Sequence, residues 1–264
     1  MGNEGQEFMY DIIRAKLNWK LDEKELESML QFIKDEVNNK LGEFDHENIP
    51  HHLLKSLYTK DTLAQLYLMK GAMLSIASWK YKLFFKLALS QTLHKVSIHP
   101  ISVPYISRKK SLSNTNQPWE HFENISRQMF TDTIDHYDKK KTSKIYLHDS
   151  RKENYQIENA GCNLCITSPP YLNNLDYGEV SKVHTHFFEI TDSWNDITHK
   201  VRKKLVTGAT THYSESDFIL DRFKQSEFYL TNRDIAEELI ILSQKIRTTA
   251  KEKAGKKSFD ILTL

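Results

Sequence analysis

The chain has 264 residues, of which 39% are hydrophobic and 27% are charged, and its formal net charge is +2. This composition supports a folded core and excludes a strongly basic polypeptide, so nucleic-acid binding would need a local basic surface. The two cysteines exclude a disulfide scaffold, and no uncharged apolar run approaches the roughly 20 residues of a membrane helix. We therefore expect a soluble cytoplasmic protein without a membrane partner.

The first half of the chain is predicted to be helical. Apolar residues at helical spacing predict a helix that starts at Asp22, where Asp22 and Glu25 resemble a capping box. Residues 61–94 are apolar over much of the helical circumference, which predicts either two buried helices or one long bent helix. After an exposed loop at 100–118, a further amphipathic helix is expected at 119–137.

The second half has a different pattern. Ile145–Leu147 predicts a short strand, and residues 164–167 predict another. Two such strands about 20 residues apart are typical of neighbouring strands in an α/β sheet. Residues 180–190 and 235–246 predict helices, and residues 259–264 predict a final strand.

Four residues directly after the second predicted strand form a distinctive motif, Ser168-Pro169-Pro170-Tyr171. Its two prolines have no amide hydrogen to donate to a sheet, so they end the strand and stiffen the backbone. The motif resembles the catalytic motif of DNA amino-methyltransferases, which use S-adenosylmethionine to methylate the exocyclic amine of cytosine or adenine. The resemblance implies these catalytic residues: Ser168, Pro169, Pro170 and Tyr171.

The residue types in the motif suit this chemistry. The Ser168 hydroxyl and the Pro169 carbonyl would accept hydrogen bonds from the amine, and a rigid backbone needs little reorganisation during transfer. The base must leave the duplex to reach such a site, and stacking on Tyr171 would contribute about 1–3 kcal/mol. In this family a serine at the first position, rather than an aspartate, favours N4 of cytosine over N6 of adenine.

Other segments extend the resemblance. Asp149 matches an acidic residue that lies near the cofactor adenine at the end of a family strand. Glu4 matches an acidic residue that holds the cofactor ribose. Residues 172–177 and 202–208 resemble segments that follow the catalytic motif. The resemblance therefore implies that S-adenosylmethionine is the cofactor and that Asp149 and Glu4 bind it.

The implied fold is α/β, a partial Rossmann-like methyltransferase sheet with a large helical insertion. Residues 1–20 would start the methyltransferase-like core, residues 21–142 would form the helical insertion, and residues 143–264 would carry the catalytic-motif part of the core. The implied function is methylation of DNA in a restriction–modification or defence system.

One family feature is missing from the sequence. The family binds the methionine part of its cofactor with a glycine-rich loop, whereas this chain has eight glycines and no Gly-x-Gly pair. We therefore expect either a second polypeptide that carries the loop or a catalytically inactive subunit that binds DNA or a partner. A third alternative is a helical interaction protein in which the motif is only a turn.

Several residues also have simpler interpretations. Asp149 could be a turn or helix-capping residue, and Glu4 could be a disordered terminal residue. The basic segment 202–204 is solvated surface by default. If it lined a DNA groove instead, binding would weaken with added salt.

The cysteines and histidines do not predict a metal site. Cys162 and Cys165 lack a second ligand pair at suitable spacing, so we expect them to be small buried side chains. Scattered histidines are more often surface or hydrogen-bonded groups than metal ligands, and this applies to His184, His186, His199 and His212.

Overall fold

The computed structural model describes residues 1–18, 20–49, 51–101, 106, 117–135, 142–158, 161–167, 176–205 and 220–254. Most of these residues are helical, and one parallel pair of short strands accompanies the helices. None of the helices within these ranges combines the length and apolarity that a membrane span requires. The predicted final strand at 259–264 and the motif at 168–171 lie outside the described residues.

The elements follow one another in a simple order. β1 (Gly2–Glu4) leads into α1 (Glu7–Lys16), and β2 (Ile145–Leu147) follows a helical middle region. The middle region comprises α2 (Glu23–Lys40), α3 (His52–Leu57), α4 (Lys60–Ser75), α5 (Trp79–Lys95) and α6 (Pro118–Asp135). After β2 come α7 (Tyr177–Phe187), α8 (Trp194–Asp196), a π-helical turn (Ile197–Val201), a 3-10 turn (Arg202–Lys204), α9 (Leu220–Lys224), α10 (Glu227–Thr231) and α11 (Arg233–Ala254).

Helix α2 begins where the sequence predicts it. The side chain of Asp22 accepts a hydrogen bond from the Glu25 amide at 3.0 Å, which satisfies one of the unpaired amides of the first helical turn. The helix buries one face against the core, through Leu26, Leu30, Ile33 and Val37. The predicted cap and the predicted apolar face are both confirmed.

The apolar region at 61–94 forms two helices, α4 and α5, instead of one bent helix. Both are buried around much of their circumference because α2, α6 and α7 share a core with them. Phe187 of α7 reaches into this core and contacts the Tyr67 ring edge-on, with ring centroids 5.2 Å apart. The helix that follows the predicted catalytic motif is therefore fixed to the helical middle of the chain.

The two strands form a parallel pair. Gly2 lies opposite Ile145, and Glu4 lies opposite Leu147. Parallel strands need a crossover connection, which here runs through α1 to α6. Helix α1 packs against α5 through Phe8, Ile12, Ala15, Leu83 and Leu87. This arrangement is compatible with the α/β class. The larger Rossmann-like sheet and the three-part division of the chain stay predictions.

The predicted strand at 164–167 is wrong. Leu164 is 76% exposed and Ile166 is 88% exposed, and the segment has no strand structure. Cys162 and Cys165 are exposed as well, so the prediction that they are buried is also wrong. An apolar segment becomes a strand only where another strand pairs with its backbone. Within the described residues no strand pairs with this segment.

Candidate functional site

The carboxyl ends of the two strands bring together the segments that carry Glu4 and Asp149. The backbone amide of His148 donates to the Glu4 carbonyl at 2.9 Å, and Asp149 is the next residue. Because the strands are parallel, both acidic residues lie at the same edge of the sheet. In open α/β sheets this edge is where ligands bind.

Glu4 is an ordered residue at the end of β1, so the alternative of a disordered terminal residue is wrong. One of its carboxylate oxygens accepts a hydrogen bond from the Gln6 amide at 2.8 Å. The buried Gln6 side chain in turn donates to the Ser181 hydroxyl of α7 at 2.5 Å. The end of β1 is therefore linked directly to the helix that follows the predicted catalytic motif.

Asp149 lies in the turn after β2, where Arg151 binds it. The Arg151 amide and the guanidinium Nε donate to one carboxylate oxygen at 3.0 and 2.9 Å, and a terminal nitrogen donates to the other at 2.8 Å. Hydrogen bonding to Arg151 holds the pKa of Asp149 below its usual range. Asp149 is therefore a turn residue, as one alternative predicted, and its negative charge is stabilised.

Arg151 also connects this edge to a later part of the chain. Its guanidinium donates to the backbone carbonyl of Lys203 in the 3-10 turn. The backbone of Gly5 lies close to the same turn, because a Cβ at position 5 would come within 2.4 Å of the Lys204 carbonyl. The basic segment 202–204 thus adjoins the edge that carries Glu4 and Asp149.

Arg202 itself is not solvated surface, in contrast to the default expectation. It is 2% exposed, and its guanidinium carbon lies 4.0 Å from the centre of the Trp194 ring. Its guanidinium donates to both carboxylate oxygens of Asp176, at 2.6 to 3.1 Å, and to the Thr198 hydroxyl at 3.0 Å. Lys203 and Lys204 are exposed.

Asp176 is the N-cap residue of α7 and lies directly before its first helical residue, Tyr177. Its carboxylate accepts from the amides of Gly178 and Glu179 at 3.0 and 3.2 Å, so it caps the helix as well as pairing with Arg202. A side chain at Gly178 would meet Arg202 at 2.9 Å, which explains a glycine in the first turn. The segment after the predicted catalytic motif is therefore anchored at a defined point.

The predicted catalytic residues lie outside the described residues, namely Ser168, Pro169, Pro170 and Tyr171. Their two flanks differ strongly. The preceding residues 161–167 are exposed, whereas Asp176 on the other side is held by a buried arginine. The assignment of these four residues stays a prediction.

Sequence reasoning missed the roles of Arg151, Arg202 and Gln6. The Arg151 contact has a local signal, since the side chain of an Asp can pair with the side chain of an Arg two residues later. The other two contacts join residues that are 26 and 175 positions apart. No short-range pattern in a single sequence identifies such pairs.

Four of the described histidines form two pairs. His51 stacks on His186 with ring centroids 4.5 Å apart, and His94 lies beside His184. His199 bonds to a carbonyl of its own helical turn, and His212 lies outside the described residues. In the part of the chain that the structure describes, no three His, Cys, Asp or Glu side chains are grouped to hold a metal ion.

Comparisons of the chain with protein-family models, with curated proteins and with solved structures found no match. Its function is therefore argued from its own residues and their geometry.

Proposed function

We propose that this chain is an S-adenosylmethionine-dependent DNA amino-methyltransferase, or one part of a split one, that acts in a restriction–modification or defence system. N4 of cytosine is the favoured target over N6 of adenine. One observation carries the proposal: Glu4 ends β1, Asp149 follows the parallel strand β2, and both residues share one edge of the sheet. The sequence motif at 168–171 supplies the matching acceptor groups.

The two carboxylates suit the adenosine part of the cofactor. Ribose hydroxyls and the adenine amine are hydrogen-bond donors, and carboxylate oxygens accept such bonds. Glu4 uses one oxygen for the Gln6 amide and makes no hydrogen bond to the described residues through the other. The charge on Asp149 is stabilised by Arg151. These residues would hold the adenosine, and the cofactor would supply an activated methyl group.

The methionine part of the cofactor has no matching loop in this sequence. We propose that a second polypeptide carries the glycine-rich loop and that this chain contributes the acceptor motif. Ser168 and Pro169 would hold the target amine by accepting its hydrogens, while Tyr171 stacks on the extruded base. Held in this way, the amine nitrogen would be oriented toward the methyl group that the cofactor would supply. Positioning of the two reactants dominates the rate of such a transfer.

Calorimetric titration with S-adenosylmethionine tests the carboxylate assignment. The chain is measured alone and with the protein encoded immediately upstream, and the pair is expected to bind. In the pair, Glu4→Gln and Asp149→Asn should each weaken S-adenosylmethionine binding by about tenfold or more. A tenfold loss of affinity corresponds to about 1.4 kcal/mol of binding free energy. Glu153→Gln, in an exposed part of the same turn region, is the matched control. Unchanged affinity in both test variants would contradict the assignment.

A second candidate function is a catalytically inactive subunit that binds DNA or a partner. The observation that favours it is the Asp149–Arg151 pair, which occupies the carboxylate proposed to meet the adenine. Arg151→Gln distinguishes the two functions. For the enzyme, both the wild type and the variant should bind S-adenosylmethionine in the reconstituted pair, because Arg151 makes three hydrogen bonds to the Asp149 carboxylate and a carboxylate has about four acceptor sites. For the inactive subunit, neither protein binds the cofactor, and DNA binding weakens steeply with salt.

A further inference from the structure

Helix α11 carries two apolar faces. The first face packs against α9 and α10 through Ala236 and Ile240. Large aliphatic side chains form the second face, which we call the apolar stripe and which consists of Ile235, Leu239, Leu242 and Ile246. Leu239 is partly buried at the edge of the first face, whereas the other three side chains are 37% to 56% exposed. Exposed apolar side chains gathered on one face mark an interaction surface.

The apolar stripe has the same pattern in both chain directions. Its positions are separated by four, three and four residues, and the residue types run Ile, Leu, Leu, Ile. Such positions lie within about 60° of one another around a helix of 3.6 residues per turn, and this spacing is that of a coiled-coil seam. A second copy of α11 that lies antiparallel would therefore place its Ile246 against Ile235 and its Leu242 against Leu239.

Charged side chains beside the apolar stripe match an antiparallel partner. Glu238 and Lys245 are exposed on the same flank of the stripe, the glutamate in its first half and the lysine in its second. In an antiparallel pair this flank meets the same flank of the second copy, so Glu238 of each copy lies beside Lys245 of the other. Because helical side chains lean toward the N-terminus of their own helix, the two charged groups lean toward each other. A parallel pair would instead place this flank against the opposite one, which holds Ala236 and Ser243, and would form no such ion pairs.

The first face of α11 prepares the helix for such a pairing. Isolated short helices are marginal in water, so a seam of four layers is too short to assemble from unfolded peptides. Packing against α9 and α10 already orders α11, so the pairing carries no cost of helix formation. A seam of four layers is smaller than the roughly 800 Å² per partner of a standard interface. We therefore expect a weak dimer, with a Kd of about 1–100 µM.

We propose that α11 binds α11 of a second copy of this chain in an antiparallel pair, with the two-fold axis between residues 240 and 241. The apolar stripe of each copy forms the buried seam, and two ion pairs between Glu238 and Lys245 flank it. The surface is independent of the proposed methyltransferase function, since it uses neither Glu4 nor Asp149 nor the motif at 168–171.

Analytical ultracentrifugation of the whole chain at about 1–100 µM tests the dimer. The wild type is expected to pass from monomer to dimer, and Leu242→Lys should raise the Kd by about tenfold or more, because it places a charge in the seam. Ile241→Lys is the matched control, since Ile241 is exposed but lies about 100° around the helix from Leu242. A wild type that stays monomeric throughout, or a dimer that Leu242→Lys leaves unchanged, overturns the proposal.

Charge reversal tests the antiparallel orientation and protects the test against loss of folding. Glu238→Lys and Lys245→Glu each place like charges side by side, so each should weaken the dimer by about fivefold or more at low salt. The double variant Glu238→Lys/Lys245→Glu restores both ion pairs, and its Kd should return to within about twofold of the wild-type value. Single variants with the wild-type Kd, or a double variant as weak as the single variants, overturn the proposal.

Discussion

The guanidinium of Arg202 and the carboxylate of Asp176 form an ion pair with a shortest N···O distance of 2.6 Å, although they are 26 residues apart. The arginine side chain is 1% exposed and the aspartate side chain is 14% exposed. This pair fixes the start of α7, the helix that follows the predicted catalytic motif in the chain.

Breaking this ion pair should strongly destabilise the protein. Asp176→Ala leaves a buried arginine without its partner and removes a helix cap, so we expect a loss of about 3–5 kcal/mol in the free energy of unfolding. Urea denaturation measures this loss in the free energy of unfolding. The double variant Asp176→Ala/Arg202→Met should lose less than the sum of the two single variants. Strict additivity would contradict a direct interaction.

The turn after α7 contains a glutamate where glycine is usual. Glu189 has φ of 58°, and the turn closes with Glu189 N–H donating to the His186 carbonyl and Ile190 N–H donating to the Thr185 carbonyl. This is the Schellman arrangement, in which the left-handed residue is most often glycine. The Glu189 carboxylate binds the buried Lys70 ammonium at 2.7 Å, which compensates for the backbone strain.

Two substitutions at this position separate the strain from the ion pair. Glu189→Gly and Glu189→Ala both lose the contact with Lys70, but only alanine keeps the left-handed strain. We expect the glycine variant to be more stable than the alanine variant by about 1–2 kcal/mol. Urea denaturation of both variants checks this. An alanine variant as stable as the glycine variant would show that the backbone is unstrained.

The pH dependence of stability should contain a contribution from His51. Burial, followed by the neighbouring His186, lowers its pKa below the ordinary value of 6.5. The unfolded chain therefore binds a proton more readily than the folded chain. The stability from neutral His51 is fully present above pH 6.5, and it declines as the pH falls below that value.

His51→Phe keeps an aromatic ring against His186 and removes the titrating group. Between about pH 6.5 and 5 its stability should fall less steeply than that of the wild type, by at most about 1.4 kcal/mol per pH unit. Urea denaturation at several pH values gives both slopes, with His199→Phe as the control. Equal slopes for His51→Phe and the wild type would contradict the role of His51.

The exposed segment before the motif predicts a change on assembly. Cys162 and Cys165 are the only cysteines of the chain, and both should react readily with a maleimide in the isolated chain. If a second polypeptide completes the sheet, this segment gains a neighbouring strand and both of its faces are covered. Labelling should then slow by about tenfold or more, which corresponds to about 1.4 kcal/mol of protection. Equal labelling rates with and without the partner would contradict this.

Features with a local cause could be predicted from the sequence. The cap at Asp22 and the face through Leu26 and Ile33 follow from residues within one or two helical turns, and α2 forms as predicted. The sequence also predicts the strand Ile145–Leu147 with its observed bounds. The two acidic residues that the resemblance selected, Glu4 and Asp149, lie at one sheet edge.

Features that depend on distant partners could not be predicted. Residues 164–167 have the composition of a buried strand, but no described strand pairs with them, and their side chains face solvent. Arg202 belongs to a basic run, yet Asp176 and Trp194 bury it. In both cases the deciding partner is far away in sequence, so local composition indicates the wrong environment.

The most direct test of the central claim is methyl transfer to DNA from radiolabelled S-adenosylmethionine. The wild type and Ser168→Ala are each assayed with the loop-carrying polypeptide, and Ser56→Ala, on the exposed side of α3, is the control. We predict that Ser168→Ala lowers the rate by about 100-fold or more, the loss typical of removing one preorganised polar group, while cofactor affinity and folding are unchanged. Equal rates for the wild type and Ser168→Ala would contradict the account.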